Sequence, residues 1–227
     1  MECIILAGGL GTRLRSVTGE RPKCMAPVKG KPFLHYMLAY LEQQQCTRLI
    51  LSLGYRHEVV TEWLQGQEWP FTITMVIEEA PLDTGGGIQL ALRHSTMPHV
   101  FVLNGDTMFR ISLQEMMEQH LEKHAETTVA LKPMHRAGRY GVVHTDAAGF
   151  ITSFGEKEYC EEGLINGGIY CISRERFLNR QLPQRFSFER DYLAAHVAGR
   201  IFSGYTADAY FIDIGVPEDY ARAQQEL

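Results

Sequence analysis

The first half of the chain alternates short apolar runs with amphipathic stretches, and that rhythm leaves few folds open. "ECIILAG" reads as a buried strand, and "FLHYMLAYLEQQQ" carries Phe33, Leu34, Met37, Leu38 and Leu41 at helical spacing. The pairing recurs as "RLILSLG" with "EVVTEWLQ", "TITMVIEE" with a helix from Gly87 to His94, and "HVFVLNGD" with "SLQEMMEQHLEKH". Parallel strands need long crossovers, and helices supply them. The alternation therefore predicts an α/β fold, a mostly parallel sheet with helices on both faces. After "TTVALKP" the texture changes. "YGVVHTDAAGFITSFGEK" predicts two strands joined at a turn near Asp146 to Gly149, and "LINGGIYCIS" a further strand. "FERDYLAAHVAG" predicts a helix, "YFIDIG" a strand, and "PEDYARAQQEL" a last helix with Pro217 at its first position. No linker or repeat interrupts the pattern, so a single domain over residues 1–227 is expected.

Composition narrows the function. The net charge of −5 argues against a general nucleic-acid binder. No run approaches the length of a membrane span, and no basic, cleavable leader opens the chain. Five cysteines, an odd number without CxxC spacing, suggest neither a disulfide framework nor a zinc site. A cytoplasmic protein without nucleic-acid or membrane partners is expected. A homodimer is compatible with this composition.

The chemistry is concentrated in "LAGGLGTRLRSVTGERPKCMAP". The dinucleotide fingerprint G-x-G-x-x-G fails because Leu14 stands at its third glycine, and the P-loop pattern is absent. That disfavours an oxidoreductase reading. What remains is a strand, a glycine loop and two spaced cations. Gly8, Gly9 and Gly11 let backbone N–H groups approach phosphate oxygens. Arg13 offers a planar fork for phosphate, and Lys23 a compact charge placed by Pro22. "VFVLNGD" puts Asp106 just past a strand, where α/β sheets bind ligands and where a carboxylate suits magnesium. "YFIDIG" puts Asp213 inside an apolar strand, where an unpaired carboxylate is costly.

"LAGGLGTRL" followed by "RPKCMAPVKGKPFL" resembles the signature of the sugar-1-phosphate nucleotidylyltransferases, also called nucleotide-sugar pyrophosphorylases. The likeness covers nearly the whole chain, with Cys24 where that family usually has Pro. It implies a three-layer α/β/α, Rossmann-like nucleotidyltransferase (glycosyltransferase-A-like) fold with a mostly parallel mixed central sheet. It also implies that residues 1–110 mainly bind nucleotide and 111–227 mainly bind sugar phosphate. The nucleoside triphosphate would lie on Leu6, Ala7, Gly8, Gly9, Gly11, Thr12, Arg13, Lys23, Glu78, Thr84 and Gly85. Asp106 and Asp213 match the family's two magnesium ligands, so Mg2+ is the expected cofactor. Arg13, Lys23, Asp106 and Asp213 would carry catalysis.

In that family a side chain at the end of the third strand reads the base, ahead of a glycine-rich turn. Glu78 stands there. A carboxylate only accepts hydrogen bonds, and guanine offers two adjacent donors, so GTP is favoured. Asp83, where most of the family has Gly, weakens that choice, because some uridylyltransferases for N-acetylmuramic acid 1-phosphate carry an acid there. For the sugar 1-phosphate the likeness implies Asn104, Gly141, Glu156, Lys157, Asn166 and Gly167. "RYGVV", "LINGGIYCI", "FSFERDYL" and "YFIDIGVPEDY" together resemble the short guanylyltransferases that act on a heptose 1-phosphate. A uridylyltransferase for another sugar and a non-catalytic nucleotide-sugar sensor stay open, the sensor disfavoured because Arg13, Lys23, Asp106 and Asp213 are all present. His120 and His124 have ligand spacing, but with no third ligand a solvated helix face is the expectation.

Overall fold

The computed structural model describes residues 1–9, 19–135, 140–155 and 161–227. Strand β1 (Glu2–Leu6) lies mid-sheet, paired in parallel with β4 (Arg48–Leu53) on one side and β6 (His99–Asn104) on the other. Between β1 and β4 lie the two-residue strands β2 (Pro27–Val28) and β3 (Lys31–Pro32) and helix α1 (Phe33–Gln43). Helix α2 (His57–Leu64) leads to β5 (Thr72–Ile77), parallel to β4, and α3 (Asp83–Leu92) leads back to β6.

The second half continues the same sheet. β7 (Thr107–Phe109) and α4 (Leu113–Glu122) precede the long β8 (Thr127–His135). β9 (Val142–Thr145) and β10 (Ile151–Phe154) form the expected hairpin, its turn held by Asp146, whose Oδ1 accepts from Ala148 and Phe150 N–H groups. β11 (Glu162–Ser173) pairs antiparallel with β6, β8 and β9, and so joins the two halves. Helix α5 (Arg174–Leu178) follows, then β12 (Phe202–Thr206) parallel to β8, β13 (Phe211–Asp213) against β7, and α6 (Pro217–Glu226). The described residues form a nine-stranded mixed sheet with the order β10-β9-β11-β6-β1-β4-β5, and with β8 and β12 branching from β11.

Side-chain alternation sorts the core into two layers. Cys3, Ile5, Leu49, Leu51, Phe101 and Leu103 face the cluster that holds Phe33, Leu34, Met37 and Leu38 of α1. Ile4, Ile50, Val100 and Val102 face the other, with Ile88 and Leu92 of α3. Each fully buried side chain of this size contributes roughly 1.5–3 kcal/mol. Cys3, Cys24, Cys46 and Cys171 are free and buried.

Three expectations need correction. The third helix starts at Asp83, not Gly87, so the "TGGG" stretch is its first turn. Glycine is required there by contact: an added Cβ would lie 2.2 Å from the Phe186 ring at Gly85 and 2.3 Å from the Gln184 carbonyl at Gly86. The stretch expected as one helix from Phe188 is a π-helical segment, Phe188–Ala194, followed by a 3-10 turn at Val197–Gly199. The wider turn places Phe188, Tyr192 and Leu193 together in the core. Finally, His120 is not on a solvated face. It is fully buried, with Nδ1 at 2.9 Å from Thr128 Oγ1, and Nε2 at 3.1 Å from both Ser173 Oγ and His99 Nδ1. Among the described residues no group of three or more His, Cys, Asp or Glu is placed to hold a metal.

Burial, then the nearby His99 and Arg176, depress the His120 pKa to about 4 from its ordinary 6.5. The ring takes up a proton more readily once unfolded, so its contribution to stability is full above about pH 6.5 and is lost as the pH falls toward 4. Urea denaturation at pH 7 and pH 5 should show wild type losing stability, with this group supplying at most about 1.4 kcal/mol per pH unit. His120→Asn should lower stability at pH 7 and flatten the dependence. An equal slope in the two proteins would assign the acid sensitivity elsewhere.

Candidate active site

The carboxyl ends of four parallel strands converge on one cavity of about 870 Å³. β1 delivers Leu6 to Gly9, β4 delivers Ser52, Gly54 and Tyr55, β5 delivers Glu78 and Glu79, and β6 delivers Asn104 to Asp106. Ligand sites in open α/β sheets lie at this end. The ends of β1 and β6 are pinned together: Gly105 N–H donates to the Leu6 carbonyl at 2.9 Å, and a Cβ at Gly105 would come within 2.4 Å of that oxygen.

Lys23 reaches the cavity from a 3-10 turn, Lys23–Met25, that follows Pro22. Its Nζ donates to Asp106 Oδ2 at 2.8 Å. Cys24 beside it is buried, and burial together with the Asp106 charge pushes its thiol up to about 12. That keeps it protonated and rules it out as a ready nucleophile.

Glu78 sits just beyond β5 and is half-buried in the cavity wall. Its Oε2 accepts from the Leu82 N–H at 3.1 Å. Burial raises its pKa; the Leu82 bond opposes this and the Asp83 charge adds to it. Gly8 and Gly87 leave room for the carboxylate, since a Cβ on either would approach Glu78 Oε1 to 3.1 and 2.8 Å. The backbone of Asp83 is left-handed, at φ 57°, a conformation glycine adopts without strain.

The cavity thus brings together Leu6, Ala7, Gly8, Gly9, Lys23, Glu78, Thr84, Asn104 and Asp106 of the residues singled out from sequence. It is not lined by Gly85, whose N–H donates to the Phe186 carbonyl at 2.9 Å, nor by Gly141 or Gly167. Glycine at 141 lets the chain pass the Gly155 carbonyl, and at 167 it admits the Phe109 ring. Asn166 sits at the bulge of β11 behind the lining residues: its Nδ2 donates to Tyr170 Oη at 2.8 Å and Glu189 Oε1 at 3.0 Å. Gly11, Thr12, Arg13, Glu156 and Lys157 lie outside the described residues.

Asp213 ends β13 rather than lying within a longer strand, and it lines a different cavity, of about 690 Å³. It is only partly buried, and its Oδ1 accepts from Gly215 N–H at 2.7 Å. The two aspartates are nonetheless neighbours along the β7–β13 ladder: Asp213 pairs with Thr107, and Ile214 N–H donates to the Asp106 carbonyl at 2.9 Å. Carboxylate oxygens are the donor type magnesium takes, and here the two carboxylates line different cavities. Reading the sequence missed Tyr55, Tyr170, Arg185, Ser187, Phe188 and Glu189, which also line the main cavity. The only signal for the last four was the "RFSFE" stretch itself.

Residues 2–227 match the family described as nucleotidyl transferase, and the chain belongs to that family. It is 47% identical over 227 residues to D-glycero-alpha-D-manno-heptose 1-phosphate guanylyltransferase of Aneurinibacillus thermoaerophilus, covering 100% of this chain and 98% of the relative. It is 40% identical over 220 residues to the protein of the same name from Campylobacter jejuni, covering 97% of each. In structure it resembles HddC from Yersinia pseudotuberculosis, with a TM-score of 0.89, 35% identity and coverage of 99% of this chain and 98% of that one. A second structure of HddC is complexed with GMP-PN.

Two outcomes follow from this geometry. Asp106→Asn and Lys23→Ala should each lower kcat/KM by ~10²-fold or more, the scale of losing one preorganised charge, while thermal melting stays close to wild type. Near-normal turnover in either variant at saturating magnesium would remove that residue from catalysis. Gly85→Ala should cost about 1–3 kcal/mol in denaturant titrations, because the added methyl meets the buried Phe186 ring. Loss of nucleotide binding with unchanged stability would show that Gly85 acts on the ligand instead.

Proposed function

We propose that this protein transfers GMP from GTP to D-glycero-α-D-manno-heptose 1-phosphate, giving the GDP-heptose and pyrophosphate. The match to the two heptose 1-phosphate guanylyltransferases over nearly the full length of both chains carries this reading. The site chemistry supports it. An oxygen of the sugar phosphate bonds to the α-phosphorus of GTP while the bond from that phosphorus to the β-bridging oxygen breaks, and pyrophosphate leaves. The attacking oxygen is already anionic, so no strong general base and no covalent intermediate are required. The chain's work is positioning and charge stabilisation.

Lys23 and Arg13 offset the repulsion between two polyanions, and Lys157 meets the sugar phosphate. Asp106 and Asp213 would hold magnesium, which when bound would neutralise phosphate charge. Glu78 accepts from guanine N1–H and the 2-amino group, with Oε2 shared with the Leu82 N–H. Asn104 faces the sugar, and Asn166 supports that wall from behind through Tyr170 and Glu189.

Pyrophosphate release measured across four nucleoside triphosphates and several sugar 1-phosphates tests the assignment. GTP with the heptose 1-phosphate should give the highest kcat/KM. Glu78→Gln should narrow the GTP to UTP ratio by an amount equivalent to about 1–3 kcal/mol, by analogy with bidentate base contacts. A wild-type preference for UTP would refute guanylyl transfer, and an unchanged ratio in the variant would take Glu78 out of base reading.

A further inference from the structure

Two walls of the main cavity come from distant parts of the chain. One is the first turn of α3, and the other is the segment 184–189 leading into the π-helical turn. Hydrogen bonds join them: Gly85 N–H to the Phe186 carbonyl at 2.9 Å, Phe186 N–H to the Leu82 carbonyl at 3.2 Å, and Phe188 N–H to Thr84 Oγ1 at 2.9 Å. At the cavity rim the seam ends in an ion pair. Arg185 Nε donates to Asp83 Oδ2 at 3.1 Å, and both residues line the cavity.

Three observations make this pair more than a surface contact. Asp83 holds a left-handed backbone, at φ 57°, which a residue with a Cβ adopts at a cost. Arg190, further along the same segment, does not line the cavity and pairs through two nitrogens with Asp191, at 2.8 and 2.9 Å. Glu78, Glu79 and Glu189 also line the cavity, so an incoming phosphate meets carboxylates there, with Lys23 and Arg185 as the lining cations among the described residues. The Arg185 and Asp83 side chains are 66% and 45% exposed, which makes their pairing weak and readily exchanged. A guanidinium carries five donors and binds phosphate with two at once, whereas the pair to Asp83 engages Nε.

We propose that Asp83 masks Arg185: its carboxylate occupies the guanidinium at the cavity rim until a substrate phosphate displaces it. The identity of that phosphate, on GTP or on the sugar 1-phosphate, rests on the function proposed above. The exchange would couple substrate entry to the seam between the two walls.

Calorimetric titration of GTP, heptose 1-phosphate and guanosine into wild type, Asp83→Asn, Arg185→Gln and the double variant tests this. Asn tolerates left-handed backbone, so Asp83→Asn should keep the fold, and thermal melting checks it. Asp83→Asn should bind one of the two phosphate ligands roughly 2- to 5-fold tighter, the range an exposed ion pair spans. Arg185→Gln should weaken the same ligand, and the Asp83 substitution should then have no further effect. The ligand that responds identifies the phosphate. Equal tightening with and without Arg185, tightening of guanosine as well, or no change for either phosphate ligand would overturn the proposal. Because the readout is binding, absence of pyrophosphate release from GTP and heptose 1-phosphate would count against the proposed reaction alone.

Discussion

The site depends on one strand. β1 is buried on both faces and paired in parallel on both edges, to β4 and to β6. Parallel pairing sends the carboxyl ends of β1, β4, β5 and β6 to the same side, and the chain must turn there four times. Those turns carry the glycines, Glu78, Asn104 and Asp106 into one cavity. The close pass of Gly105 over the Leu6 carbonyl then fixes how near the β6 turn comes to the glycine loop. A side chain at 105 would collide with the Leu6 carbonyl, so glycine is what lets the two turns approach.

Charge shapes what that cavity takes. Glu78, Glu79, Asp83, Asp106 and Glu189 line it, against Lys23 and Arg185 among the described residues. Its carboxylates outnumber its cations, so polyanionic substrates need further positive charge. Magnesium on the two aspartates and the Arg13 and Lys157 side chains would supply it in the proposed reaction. The two cavity cations are each paired with a carboxylate, Lys23 with Asp106 and Arg185 with Asp83, which limits the cost of holding like charges close together. Both pairs are partly exposed, so phosphate and metal can compete for them.

Glycines that look alike in sequence do different work. Gly8 gives space to a carboxylate, Gly85 and Gly86 admit the segment 184–186, and Gly167 admits an aromatic ring. Thr84 accepts from the Phe188 N–H and Gly85 donates to the Phe186 carbonyl, while Thr84 also borders the cavity. Asn166 likewise commits its amide to Tyr170 and Glu189.

The sequence by itself determined the α/β alternation, because it is local: hydrophobic period, glycine placement and residue type are written in consecutive positions. It also made the family legible through "LAGGLGTRL", "RPKCMAP" and "YFIDIG". Tertiary structure alone decided the rest. His120 and His124 share one spacing, yet His120 is buried among Thr128, Ser173 and His99, because α4 rests that face against β8 and β11. The helix start at Asp83 and the π-helical turn at Phe188 depend on each other, through a seam between residues about 100 positions apart. No window of consecutive residues contains that contact, so only the folded chain specifies it.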